Sequence, residues 1–239
     1  MSKKIIFIGP SGAGKTTIRK MFFEGENSKK LLEYALEPTY GEESLILRIP
    51  GLNEDIGVFD LAGQENHRWL ETNDNEIFLD SKVIIVVIDI STDFDLILEF
   101  VNKVIKIRNE LTPNSKIYVL LHKIDLIAIN TLNQIKLTSK NAFSDTKLLK
   151  IMFTSLKKKY LVKTFSDFLE IMKSCLLEED SENALEFNVI DESLKIISLI
   201  KNELSLSKKS LIEKLNRPEK LVSYLLESLK KKNHITIQT

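Results

Sequence analysis

The feature that most restricts the fold is an apolar run at residues 5–8 leading without a break into Gly9-Pro10-Ser11-Gly12-Ala13-Gly14-Lys15-Thr16 and then Thr17-Ile18-Arg19-Lys20-Met21-Phe22-Phe23. A short strand, a glycine-rich turn ending in Gly-Lys-Thr and a helix-compatible segment follow one another directly. A strand that feeds straight into a helix meets its next sheet neighbour through a crossover, which implies a parallel sheet covered by helices. The turn itself is a cradle for phosphate. Backbone N–H groups of Gly12, Ala13, Gly14, Lys15 and Thr16 would wrap an anion at the helix amino terminus, with Ser11 and Thr17 completing the loop.

The rest of the chain fits that frame up to about residue 178. Apolar runs predict strands over 5–9, 45–49, 56–60, 83–89, 116–121 and 150–153, a six-stranded, mostly parallel sheet. Helical spacing predicts helices over 16–23, 93–111 and 164–177, while residues 128–148 are too polar to assign. Glu178-Glu179-Asp180-Ser181-Glu182-Asn183 breaks the pattern, so the expected organisation is an α/β unit over 1–178, a linker over 179–186 and a small unit over 187–239. In that last unit, amphipathic spacing predicts helices over 191–203, 207–215 and 219–231. The turn before the third is Asn216-Arg217-Pro218, and Ile235-Thr236-Ile237 could form a terminal strand, a winged-helix-like pattern.

Composition narrows the partners. Lys plus Arg and Asp plus Glu both number 34, so no excess charge steers the chain toward nucleic acid or an anionic membrane. The amino terminus lacks the apolar length of a signal peptide or membrane span, and no lipidation motif is present. The expectation is a cytoplasmic protein without integral membrane contact, brought to any membrane by a partner. The single Cys175 lies in a helical apolar pattern and reads as a core thiol.

Four further positions extend the phosphate loop into a site. Lys15 would lie between the terminal phosphates and Thr16 would place its hydroxyl on Mg²⁺. Asp60 closes the third strand and is followed by Leu61-Ala62-Gly63-Gln64. Asp60 is expected to serve the metal, Gly63 to offer its N–H to the terminal phosphate, and Gln64 to orient an attacking water. Thr39, in Glu37-Pro38-Thr39-Tyr40-Gly41-Glu42, could supply a second hydroxyl to the metal; an ordinary surface turn is the alternative.

The base site comes from two later loops, His122-Lys123-Ile124-Asp125 and Thr154-Ser155-Leu156-Lys157. A carboxylate such as Asp125 can accept from both N1–H and the 2-amino group of guanine, an arrangement adenine does not offer. The stem of Lys123 would lie along the ring and the Leu156 N–H would reach the guanine oxygen. An ATPase or small-molecule kinase reading is therefore the weakest alternative. Together the motifs resemble the Ras superfamily of GTPases. His122 in place of the usual Asn, the Gly9 to Thr17 loop and the Asn75-Glu76-Ile77-Phe78 stretch resemble the Rag/Gtr branch, over about residues 3–177. His122 either ties the base loop to the phosphate loop or bonds the base.

The resemblance implies a Ras-like domain binding GTP and GDP with Mg²⁺, and a molecular switch that signals through nucleotide-dependent loops. Without an arginine finger, such domains hydrolyse GTP on the order of 10⁻⁴ to 10⁻³ per second, so a protein activator, an exchange factor and effectors are expected. Rag/Gtr proteins dimerise through a roadblock-type carboxyl-terminal domain; here that region reads as helical, leaving homo- and heterodimers both open. Trp69 could anchor an effector or pack against the neighbouring helix. Two other readings remain: a pseudo-GTPase holding nucleotide structurally, and a nucleotide-controlled DNA-binding regulator. The acid in Pro218-Glu219-Lys220-Leu221 favours protein over nucleic acid as the small unit's contact.

Overall fold

The computed structural model describes residues 3–27, 31–32, 36–37, 39–48, 55–144, 146–176, 196–197, 199–200, 207–215, 222–223, 226–227 and 229–230. The chain divides into two compact units, Met1–Leu176 and Leu177–Thr239. In the first, strands β1 (Lys3–Ile8), β2 (Glu42–Leu47), β3 (Ile56–Leu61), β4 (Val83–Asp89), β5 (Lys116–His122) and β6 (Leu149–Phe153) form one sheet. The order is β2-β3-β1-β4-β5-β6, and only the β2–β3 pair is antiparallel. Helices α1 (Lys15–Phe23), α2 (Asn66–Glu71), α3 (Phe94–Leu111), α4 (Ile129–Ala142) and α5 (Lys158–Leu176) accompany it. This α/β sheet with helices on both faces fits a Ras-like domain.

Both faces of the central strands are apolar because helices cover both. Alternate residues of β1 divide accordingly: Ile6 and Ile8 pack with Val101 and Val104 of α3 and Leu132 of α4, whereas Ile5 and Phe7 pack with Ile18 of α1 and Phe168 and Ile171 of α5. The second layer is held by aromatic rings. Phe168 lies parallel to Phe22 at 4.1 Å between centroids and meets Phe7 and Phe23 at 6.4 Å. Lys3 fastens the end of α5, donating from Nζ to the Leu176 carbonyl at 2.6 Å, where a helix terminus favours a cation.

The sequence spacing places six strands where six are found, but four elements differ. Helix α4 occupies ground that composition left unassigned: only Leu132, Ile135 and Phe143 join the core, and the exposed positions around them dilute the apolar period. Helix α5 starts at Lys158 rather than 164, because its first turns carry lysines, good helix formers that show no apolar period. Strand β2 runs over Glu42–Leu47 rather than 45–49; it is a largely exposed edge strand whose ladder begins at Glu42 opposite Leu61. The short α2 was not legible, as six residues carry too little periodicity.

In the second unit, helix α6 (Lys208–Leu215) opens on Ser207, whose Oγ accepts from the Ser210 N–H at 3.1 Å. Residues 196–197, 199–200, 222–223, 226–227 and 229–230 are also helical, and Ile196, Leu211, Val222, Leu226 and Leu229 are buried together. The expected linker over 179–186, the Pro218 turn and the strand over 235–237 lie outside the described residues. No described helix is long and apolar enough to cross a membrane.

Phe168 is 2% exposed and touches rings from β1 and α1, so the Phe168→Ala substitution is expected to cost about 3–5 kcal/mol of unfolding free energy in urea denaturation.

Candidate functional site

The strand order reverses at β1, which has β3 on one side and β4 on the other. In open α/β sheets the crevice beyond the carboxyl ends at such a reversal is where ligands sit. The residues singled out from sequence lie on or beside the loops that leave β1, β3, β5 and β6 there, except Thr39, which precedes β2.

The phosphate loop passes through Gly14, with φ of 103°, before α1 begins at Lys15. Lys15 is 6% exposed, and its Nζ donates to the Gly9 carbonyl at 2.8 Å and the Pro10 carbonyl at 3.1 Å. Burial pushes its ammonium down to about 8 against the pull of Asp60. A buried cation held by carbonyls is electrostatically prepared for an anion. Gly63 presses against this loop: a Cβ there would lie 2.5 Å from the Ser11 nitrogen and 2.7 Å from Lys15 Nζ. Any side chain would force the two loops apart. Gln64, next along, is exposed.

Asp60, at the end of β3, is fully buried. Its Oδ2 accepts from Thr16 Oγ1 at 2.7 Å and from Arg19 Nε at 3.3 Å, while Oδ1 has no hydrogen-bond partner among the described residues. Burial raises the Asp60 pKa, and hydrogen bonding from Thr16 and the charges of Lys15 and Arg19 oppose that rise. Thr39 Oγ1 stands 3.0 Å from Thr16 Oγ1, so the loop before β2 reaches the same point. One carboxylate with an unpaired buried oxygen and two hydroxyls is a hard-oxygen donor set that fits Mg²⁺, an ion that completes its octahedron with water and phosphate. No group of three or more His, Cys, Asp or Glu poised for a metal occurs among the described residues.

The base-side loops are tied to this cradle. His122, 4% exposed, sets Nδ1 2.9 Å from Thr154 Oγ1. Its Cδ2 lies 2.9 Å from where a Cβ on Gly14 would stand. Burial first, then the Lys123 charge, push its pKa down to about 4, so the ring is neutral at pH 7. This geometry is that of a side chain joining loops. Lys123 sits at φ 64° and donates to the Gly12 carbonyl and to Asp89 Oδ2, both at 2.8 Å. Burial acts to raise the Asp89 pKa, but bonds from Lys123 and Ser91 hold it below the usual carboxylate range. Asp125 Oδ1 accepts from Ser155 Oγ, which in turn accepts from the Lys157 N–H at 3.1 Å. Ser155 is buried and exchanges bonds with Thr164 of α5, and Leu156 is 2% exposed.

Several partners escaped sequence reading. Arg19, Asp89 and Thr154 each support a predicted residue; Asp89 could have been suspected as the acid that closes a buried apolar strand. Trp69 is 3% exposed and its Nε1–H donates to the Ala62 carbonyl at 3.3 Å, so the core, not a partner, receives it. Arg68 covers its ring at 4.6 Å and pairs with Glu65 and Asp74. His67 is a surface residue, 3.0 Å from Glu71.

The family model of the Gtr1/RagA G protein conserved region matches residues 4–172. Among curated proteins, GTP-binding protein GTR1 of Saccharomyces cerevisiae is 31% identical over 131 residues, covering 54% of this chain and 41% of its own length. GTP-binding protein gtr1 of Schizosaccharomyces pombe is 29% identical over 135 residues, 53% of this chain and 41% of that protein. Ras-related GTP-binding protein A of Dictyostelium discoideum is 28% identical over 130 residues, 53% of this chain and 42% of that protein. The chain thus spans about two fifths of the length of these relatives. The phosphate loop, Asp60, Gly63 and the loops of Asp125 and Ser155 all fall inside the matched stretch, and the chain belongs to the Gtr1/RagA G protein family.

Proposed function

We propose that this chain binds guanine nucleotide with Mg²⁺ at the carboxyl edge of its sheet, hydrolyses GTP slowly, and reports its nucleotide state to protein partners through two loops. The observation that carries this reading is the Lys123 ammonium, which joins the phosphate loop at Gly12 to Asp89 and leaves Asp125 beside it on the base loop. Base and phosphate recognition are thereby one rigid unit. Asp125, steadied by Ser155, reads guanine; the Leu156 N–H serves the guanine oxygen, with Lys123, His122 and Lys157 completing that end. Gly12, Ala13, Gly14, Lys15, Thr16 and Thr17 hold the phosphates, and Ser11 lies at the loop's exposed rim.

Thr16, Thr39 and Asp60 would hold Mg²⁺, which when bound neutralises charge on the phosphates. Gly63 presents its backbone to the terminal phosphate and Gln64 orients water. The switch reading has its own support: the Gly41 N–H donates to Glu65 Oε1 at 2.8 Å, so the loop of Thr39 and the turn of Gln64 are coupled directly. An outside activator is supported by the arginines. Arg19 is buried in ion pairs and Arg68 is engaged by Glu65 and Asp74, so neither is presented as a finger. Residues 1–178 carry this chemistry, and the second unit, whose described residues are mostly helical, would serve protein contact.

Calorimetric titration of nucleotide-stripped protein with GDP, a GTP analogue and ATP tests the reading. Guanine binding should be Mg²⁺-assisted and should fall by about 10²- to 10⁴-fold in Asp125→Ala, the worth of two hydrogen bonds to a charged group. ATP binding as tight as GTP would overturn it.

His122 adds a dependence on acid. Its folded pKa of about 4 lies below the ordinary 6.5, so between those values the unfolded chain takes up the extra proton. Its contribution is complete above pH 6.5 and declines as pH falls toward 4, by about 3 kcal/mol. His122→Asn should flatten the denaturation midpoint across that range; an equally steep decline would assign the acid sensitivity to other groups.

A further inference from the structure

Arg19 has no part in the chemistry described so far, yet it is 5% exposed at the centre of the site. Its guanidinium meets three carboxylates from three elements: Nη1 to Glu24 Oε1 at 2.7 Å just after α1, Nη2 to Glu43 Oε2 at 2.5 Å on β2, and Nε to Asp60 Oδ2 at 3.3 Å on β3. Strand register gives an independent reason for it. Glu43 stands directly opposite Asp60 in the antiparallel β2–β3 ladder. Like charges at opposed positions repel, and Asp60 has no access to water. The Arg19 guanidinium, inserted from α1, reaches both carboxylates and offsets that repulsion.

The contacts also fix how Asp60 is turned. Arg19 and Thr16 both donate to Oδ2, committing that oxygen, while Oδ1 stays buried without a partner. We infer that Arg19 is a positioning residue for the metal site: it holds the Asp60 carboxylate with Oδ1 free for the Mg²⁺ shell and ties that orientation to β2 through Glu43. The inference rests on the guanine-nucleotide reading above. The fork geometry of arginine is required, because a lysine ammonium is a point charge that cannot span three carboxylates. Residues that orient a metal's direct ligands commonly set its affinity without touching it.

The test is release of a fluorescent N-methylanthraniloyl GDP from the full chain, followed across a Mg²⁺ titration and in EDTA. Arg19→Lys keeps the charge and should raise the Mg²⁺ concentration that half-maximally slows release by about 10- to 100-fold, while release in EDTA stays within about twofold of wild type. Glu43→Gln leaves Arg19 in place and should shift the Mg²⁺ dependence in the same direction by less. An unshifted Mg²⁺ dependence in Arg19→Lys, or release accelerated equally with and without Mg²⁺, would overturn the positioning role, since a merely structural defect loosens nucleotide in both conditions. Failure of the wild-type chain to take up the labelled GDP would overturn the guanine reading and this inference with it.

Discussion

Burial of β1 on both faces is the constraint from which the rest of the structure follows. Ile5 and Phe7 look one way, Ile6 and Ile8 the other, and none is accessible to solvent. Such a strand can exist only with a helix layer on each side, and crossovers long enough to supply those helices make its neighbours parallel. Parallel strands deliver their following loops to the same edge. The phosphate loop, the Asp60–Gly63 turn, the Lys123 loop and the Ser155 loop meet there for that reason.

Where they meet, charge is handled without solvent. Lys15 and Asp60 are both buried, and burial moves their pKa values toward one another, the ammonium down and the carboxyl up. Among the described residues Lys15 Nζ donates to backbone carbonyls and Asp60 Oδ1 has no hydrogen-bond partner, so each group keeps capacity for a ligand. An anion for the lysine and a cation for the aspartate would resolve both deficits together, and the magnesium–nucleotide complex of the proposed function would bring both. The protein supplies ordered charge; the ligand completes it. Lys123 and His122 do different work nearby, holding the loop after β5 against the loop after β1.

The contacts of the proposed switch sit at the other flank. Gly63 is pressed onto the phosphate loop, Glu65 accepts from Gly41, Arg68 clamps Glu65, and Lys103 of α3 grips Glu71 at the end of α2 at 2.8 Å. Two of these contacts, Arg68–Glu65 and Lys103–Glu71, are solvent-exposed ion pairs, individually weak, whereas Trp69 is fixed in the core. A segment anchored at one buried residue and held elsewhere by exposed pairs can change position without disturbing the sheet.

The sequence by itself determined the strand count and the α/β class, and it pointed to the residues of the candidate site, because the signals are local: a Gly-Lys-Thr turn between strand and helix, an aspartate near the end of an apolar strand, a Lys-x-Asp loop after another. It did not reveal α4, whose apolar positions are sparse among polar ones, or α2, too short to show a period. Only the tertiary structure decided the fate of Trp69, the loop-tying geometry of His122 and the place of Arg19. Each depends on what stands across from it, Ala62, Gly14 and Thr154, or Glu43 beside Asp60. Identity and spacing along a chain specify which groups are present, but their burial, and with it their charge state and partners, is set by residues far away in sequence that the sheet register brings within hydrogen-bonding distance.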